Sequence, residues 1–140
     1  MTATALSPAT TRPLWLVSAT AGLAAAAATE VYGLLARATG IPMAAGNIGA
    51  DTAEPITVGM FAMGTAISVF WGTVLALLFA RFARNAARTY LRTTIVLTAL
   101  SLAGPLAAAD TATSTKAMLI LAHLLAAAIV IPPITRHLAR

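Results

Sequence analysis

At 140 residues the chain is sized for one domain, and 59% of it is hydrophobic against 9% charged, with no cysteine. A soluble domain carries about 25% charged residues because its surface faces water, so this chain has too few to cover itself and is expected to have lipid as its solvent. The lack of cysteine excludes thiol nucleophiles, disulfides, CxxC redox pairs and thiolate metal sites. The net charge of +5 comes from basic residues that sit beyond long apolar runs without interleaved aromatics, which argues against a nucleic-acid partner.

A helix needs roughly 20 apolar residues to span a hydrocarbon core, and four stretches approach that, at about 14–36, 56–80, 93–109 and 117–134. The first follows Arg12 and Pro13. Its start, Leu14–Ala28, resembles a cleavable leader, but the apolar run continues through Val31 to Leu35, so it is read as a retained span. Gly22 and the alanines from Ala24 to Ala28 allow close backbone approach.

The connection 37–55 contains Gly40, Gly46 and Gly49. It is too long for a minimal helix hairpin and too apolar for a plain linker. It is expected either to fold back over the bundle as a partly ordered lid or to lie as a flexible loop at the interface.

Pro55 marks the start of the second span, where its missing N–H costs nothing. That span carries Ser68, Gly72 and Ala76 at four-residue spacing, continued by Ala62 and Ala66. Such a stripe suits the core of a tight bundle, or a face for a homodimer. The loop 81–92 holds Arg81, Arg84, Arg88 and Arg92, and excess positive charge belongs on the cytoplasmic side. An even number of spans then places both tails there, with Arg12, Arg136 and Arg140, and leaves Asp51, Glu54 and Asp110 outside against Arg37 and Lys116. Trp15 and Tyr90 fall near the inner interface and Tyr32 near the outer one. Gly104–Pro105 should kink the third span, and Pro132–Pro133 mark the end of the fourth. The expected fold is all-α: one membrane-embedded four-helix bundle, N-in and C-in.

An ionisable group inside a span costs about 2.5–3.5 kcal/mol on insertion scales and reads as functional by default. Glu30 and His123 are the two, each expected roughly 10 Å below the outer surface from opposite chain directions. One reading makes them the polar centre of a single outward cavity, within about 8 Å of each other, able to exchange a proton. Asp110 is a further catalytic candidate, and Thr57, Met60 and Ser101 are candidate ligand contacts. The other reading has Glu30 and His123 bonding each other, or Thr29, Thr57, Thr65 and Ser101, and pinning the bundle. Two histidines, one of them His137 on the tail, cannot build a tetrahedral metal site without carboxylates. A haem would have His123 as its only axial candidate, so neither metal nor cofactor is expected. No nucleophile elbow or phosphate-cradling loop occurs.

The series Thr98-Ala-Leu-Ser-Leu-Ala-Gly-Pro-Leu106, then Lys116, Ala122-His123-Leu124-Leu125 and Ile131-Pro132 resembles a family of small uncharacterised bacterial four-helix membrane proteins. The resemblance covers residues 98–132. It implies a multi-pass protein of the bacterial cytoplasmic membrane and singles out Gly104, Pro105 and His123, but implies no activity. Three functions stay open: a carrier or binder of a lipophilic small molecule, a membrane enzyme, and an assembly subunit. The enzyme would use Glu30, His123 and Asp110 for isomerisation, cyclisation or epoxide opening. The subunit would dock through its small-residue faces. Four spans are too few for a typical monomeric secondary transporter.

Overall fold

The computed structural model describes residues 12–140. The element order is α1 (Leu14–Ala38), β1 (Ala44–Ala45), β2 (Glu54–Pro55), α2 (Met60–Phe82), α3 (Ala86–Ser101), α4 (Ala103–Ala107) and α5 (Thr113–Leu138). With α3 and α4 counted together, four segments are each long and apolar enough to cross a membrane. α1 packs along α2 and α5, and α3 packs on the same two helices, so α1 and α3 stand on one diagonal without touching. α2 and α5, on the other diagonal, meet only sparsely.

Side-chain size runs opposite to that of a soluble domain. Leu23, Val31, Ile67, Phe70, Ile95 and Leu121 are all exposed, while Ser18, Ala25, Thr29 and Ala76 are fully buried. Large apolar groups on the outside and small ones between helices suit a solvent as apolar as leucine, in which close backbone contact drives association. That contact is realised between α1 and α2. A Cβ added at Gly22 would stand 2.7 Å from Cγ1 of Val69, and one at Gly33 would stand 2.7 Å from the Phe61 ring. Between them, the Thr29 and Thr65 hydroxyls meet at 3.0 Å.

Three helix boundaries differ from expectation. The third span starts at Ala86 and not near residue 93, because the Asn85 side chain accepts the Arg88 amide at 3.0 Å and caps the helix there. Arg88 and Arg92 therefore lie on the helix, and the connection from α2 shrinks to residues 83–85. The second span starts at Met60 and not at Ile56, since Pro55 is held in β2, and the N-cap Gly59 adopts φ +94°. The fourth runs through Pro132–Pro133 to Leu138, with the two missing amide hydrogens absorbed inside the helix. The interruption expected at Gly104–Pro105 is present as the joint at Leu102 between α3 and α4.

The 39–59 connection is an ordered cap. β1 and β2 pair antiparallel, Ala44 opposite Pro55 and Ala45 opposite Glu54, and Ile56 N–H continues the ladder to Met43 O at 2.8 Å. The Arg37 guanidinium donates to Ile56 O at 2.7 Å. The hairpin is tied to the connection between α4 and α5: Gly46 N–H donates to Ala109 O and to Thr111 Oγ1, at 3.2 and 3.0 Å. Ala53 N–H reaches Asp110 Oδ2 at 3.3 Å, and the Thr115 hydroxyl donates to Pro42 O.

Candidate functional site

Because α2 and α5 stand apart, a cleft of about 1160 Å³ opens between α2, α3 and α5, roofed by the hairpin residues Ala45–Ile48 and Glu54–Ile56. Its walls are mainly apolar, with small residues on each of the helices that form it. Gly64, Ser68 and Gly72 face it from α2, Gly104 from α4, and Ala122, Ala126 and Ala127 from α5. The Ser68–Gly72–Ala76 stripe thus turns inward, with Ser68 and Gly72 on the cleft and Ala76 fully buried beyond it.

The polar groups of the cleft are concentrated on two walls. Tyr90, Thr94, Thr98 and Ser101 line it from α3, at the spacing that keeps side chains on one helical face. His123 lines it from α5, its Nδ1 2.7 Å from Leu119 O. A carbonyl can only accept, so Nδ1 carries a hydrogen, and the tautomer with its one hydrogen there leaves a lone pair on Nε2. Tyr90 belongs to the core cluster with Ala76, Val130 and Ile134. Val130 and Ile134 lie seven and eleven residues beyond His123 on α5, so Tyr90 and His123 mark polar points roughly 10–17 Å apart along the bundle axis. Glu54, at the roof, is the only charged residue among the described residues that line the cleft.

Of the residues expected at a site, His123, Met60 and Ser101 line the cleft, whereas Glu30, Asp110 and Thr57 do not. Thr29 faces the cleft, and one residue further along a helix is turned by about 100°. Glu30 is thereby directed to the start of α2, where its Oε1 accepts Gly59 N–H at 2.7 Å and its Oε2 accepts Ala62 N–H at 3.1 Å. α2 has neither a capping side chain of its own nor an acidic residue in its first turn. The Glu30 carboxylate, borrowed from α1, therefore satisfies two of its orphan amides at the positive end of the helix dipole. Asp110, with φ +45°, uses its carboxylate on the hairpin. Thr57 N–H lies 3.1 Å from Met60 Sδ, beside the same helix start.

Tyr90, Thr94 and Thr98 are functional candidates that the sequence reading passed over. Tyr90, expected near the inner interface, is 1% exposed between the helices. The signal was available as a hydroxyl-bearing residue at 90, 94, 98 and 101, a helical repeat facing one direction.

No curated protein and no solved structure matches this chain. A family model does, over residues 9–140, and it takes in the whole Gly-Pro and in-span His series read from the second half. The chain belongs to that family, described as a family of unknown function (DUF6069).

Proposed function

We propose that this chain is a multi-pass protein of the cytoplasmic membrane that binds a lipophilic small molecule inside the bilayer, in the cleft between α2, α3 and α5. The hairpin faces outward, and the Arg84–Asn85 connection lies in the cytoplasm with both chain ends. Support for the orientation comes from Arg81, Arg84, Arg88, Arg136 and Arg140, which all fall at the end away from the hairpin. The single observation that carries the binding reading is the cleft itself. Ligand pockets run to about 300–1,000 Å³, and this one, at 1160 Å³, slightly exceeds that and stands beside an α1–α2 seam closed to van der Waals contact. Binding is favoured over acid–base turnover by Glu30 and His123, because the Glu30 carboxylate is engaged by Gly59 and Ala62 and does not line the cleft.

The test is what purifies with the protein. A Cβ at Gly64 meets no atom within 4 Å, so the side chain of Gly64→Leu starts in open cleft space. Solvent extracts of wild type should contain a lipophile, detected by mass spectrometry, that is depleted in Gly64→Leu. Identical extracts would sink the binding reading. Orientation is read separately: with no native cysteine, Ala86→Cys should resist a membrane-impermeant maleimide until cells are opened, and labelling of intact cells would reverse the topology.

A further inference from the structure

We infer that the molecule taken by this cleft is a neutral lipophile bearing hydroxyl groups, one met by Tyr90 and a second by His123, rather than a ketone or an acid. The inference rests on the binding reading above and concerns which hydrogen-bonding groups the walls leave free.

Most of the cleft's hydroxyl hydrogens are already committed to helix carbonyls. Thr94 donates to Tyr90 O at 2.8 Å, Thr98 to Thr94 O at 2.8 Å, Ser101 to Thr98 O at 2.7 Å and Ser68 to Gly64 O at 2.9 Å. A hydroxyl has one hydrogen and two lone pairs, so each of these oxygens can still accept but no longer donate. His123 Nε2 is likewise an acceptor. The exception is Tyr90: the residue is 1% exposed, and its hydroxyl, which has no hydrogen-bond partner among the described residues, opens onto the cleft beside Gly72, 3.7 Å from where a Cβ would stand there. A hydroxyl on a nearly buried ring that opens into an apolar cavity gains from an occupant that accepts its hydrogen. Asn47 and Trp71 carry further donors, but both are exposed side chains on the rim.

An occupant therefore has to bring hydrogens. An alcohol accepts from the Tyr90 hydroxyl and donates to the Thr94 oxygen one turn away on the same face. A second hydroxyl, at the far end of the molecule, donates to His123 Nε2. A ketone can accept from Tyr90 but offers His123 nothing. A carboxylate would bring negative charge against oxygen lone pairs, with no lysine or arginine among the described lining residues.

The test uses the full chain in detergent, in a Trp15→Phe background, so that Trp71 on the cleft is the remaining tryptophan. Its emission is titrated with androstanediol, androstanol and androstanedione, which share one rigid skeleton. The diol should bind about tenfold more tightly than the mono-alcohol and the dione should bind weakest, each lost hydrogen bond being worth roughly that factor. Tyr90→Phe and His123→Leu should each reduce diol affinity to about the mono-alcohol level, with ligand-free melting temperature as the check that the fold is kept. A dione that binds as tightly as the diol, or a diol affinity unmoved by both variants, overturns the inference and leaves the binding reading standing. No saturable response to any of the three, together with identical lipophile extracts from wild type and Gly64→Leu, removes the binding reading itself.

Discussion

The two flanks of α2 are built from similar residues and do opposite things. Toward α1, glycine and threonine bring the backbones together: Gly22 receives Val69, Gly33 receives the Phe61 ring, and Thr29 bonds Thr65. Toward α5 and α3, Gly64 and Gly72 are also small, yet an added Cβ meets nothing within 4 Å at Gly64 and only the Tyr90 hydroxyl, at 3.7 Å, at Gly72. A small residue permits close approach but does not compel it. What decides is whether the facing helix brings a side chain to fill the space. α1 is met by Val69 and Phe61, whereas the stretch of α5 that lines the cleft carries Ala122, Ala126 and Ala127 between Leu119, His123 and Val130. Small facing small across a gap leaves a cleft.

The sharpest way to break this comparison is to add bulk on the closed side. Gly22→Leu drives a side chain into Val69, whose β-branched χ1 leaves it little room to turn away. A loss of about 3 kcal/mol is expected, at the upper end for overpacking, read as a fall in unfolding midpoint in detergent. An unchanged midpoint would mean that the seam is not closed. The next largest effect belongs to Glu30. Glu30→Ala leaves the Gly59 and Ala62 amides uncapped and should cost about 1–2 kcal/mol, as loss of a helix cap does. Glu30→Gln keeps one accepting oxygen and should cost about half as much. Stability kept or raised in both variants would remove the capping role and restore Glu30 as a free group. A smaller effect is expected at the hydroxyl pair, where a double-mutant cycle of Thr29→Val and Thr65→Val should give a coupling of about 1 kcal/mol. Strict additivity would show that the 3.0 Å contact does not hold α1 to α2.

How much of this could be read in advance depended on the range of each interaction. Four apolar runs, the break before Pro105 and the in-span His123 were legible because each is a local property of composition or of a single proline. The start of α3 was missed although its signal is local too. Arg88 and Arg92 were counted as loop because they are charged, while Asn85, a good capping residue followed by two alanines, went unused. α2 could not have been started correctly at Met60 from its own sequence, since its cap is Glu30, 29 residues earlier on another helix. The same distance problem hid the fate of the carboxylate. Depth alone put Glu30 level with His123, but depth carries no azimuth, and the turn of about 100° between Thr29 and Glu30 separates a cleft-lining side chain from a capping one. The hydroxyl row on α3 had a readable period, but a row of threonines donating to their own helix looks the same whether it faces lipid, a neighbour or a cavity. Only the placement of α2 and α5 distinguishes these.

The smallest expected change in stability is also the most informative about the open flank. In Gly64→Leu the new side chain meets no atom within 4 Å of its Cβ, so the overpacking that dominates at Gly22 is absent. Replacing a mid-helix glycine by leucine recovers helix propensity of about 0.5–1 kcal/mol, and the added methyls face a largely apolar cleft. The ligand-free protein should therefore melt at the same temperature or slightly higher. Gly22→Leu and Gly64→Leu make the same chemical change on the two flanks of α2, and opposite signs of the midpoint shift are the prediction. A large loss at both positions would mean that α5 closes onto α2 and that the cleft is not a standing feature of the fold. A neutral or raised midpoint at Gly64 with loss of the bound lipophile would tie the missing contact between α2 and α5 to what the protein holds there.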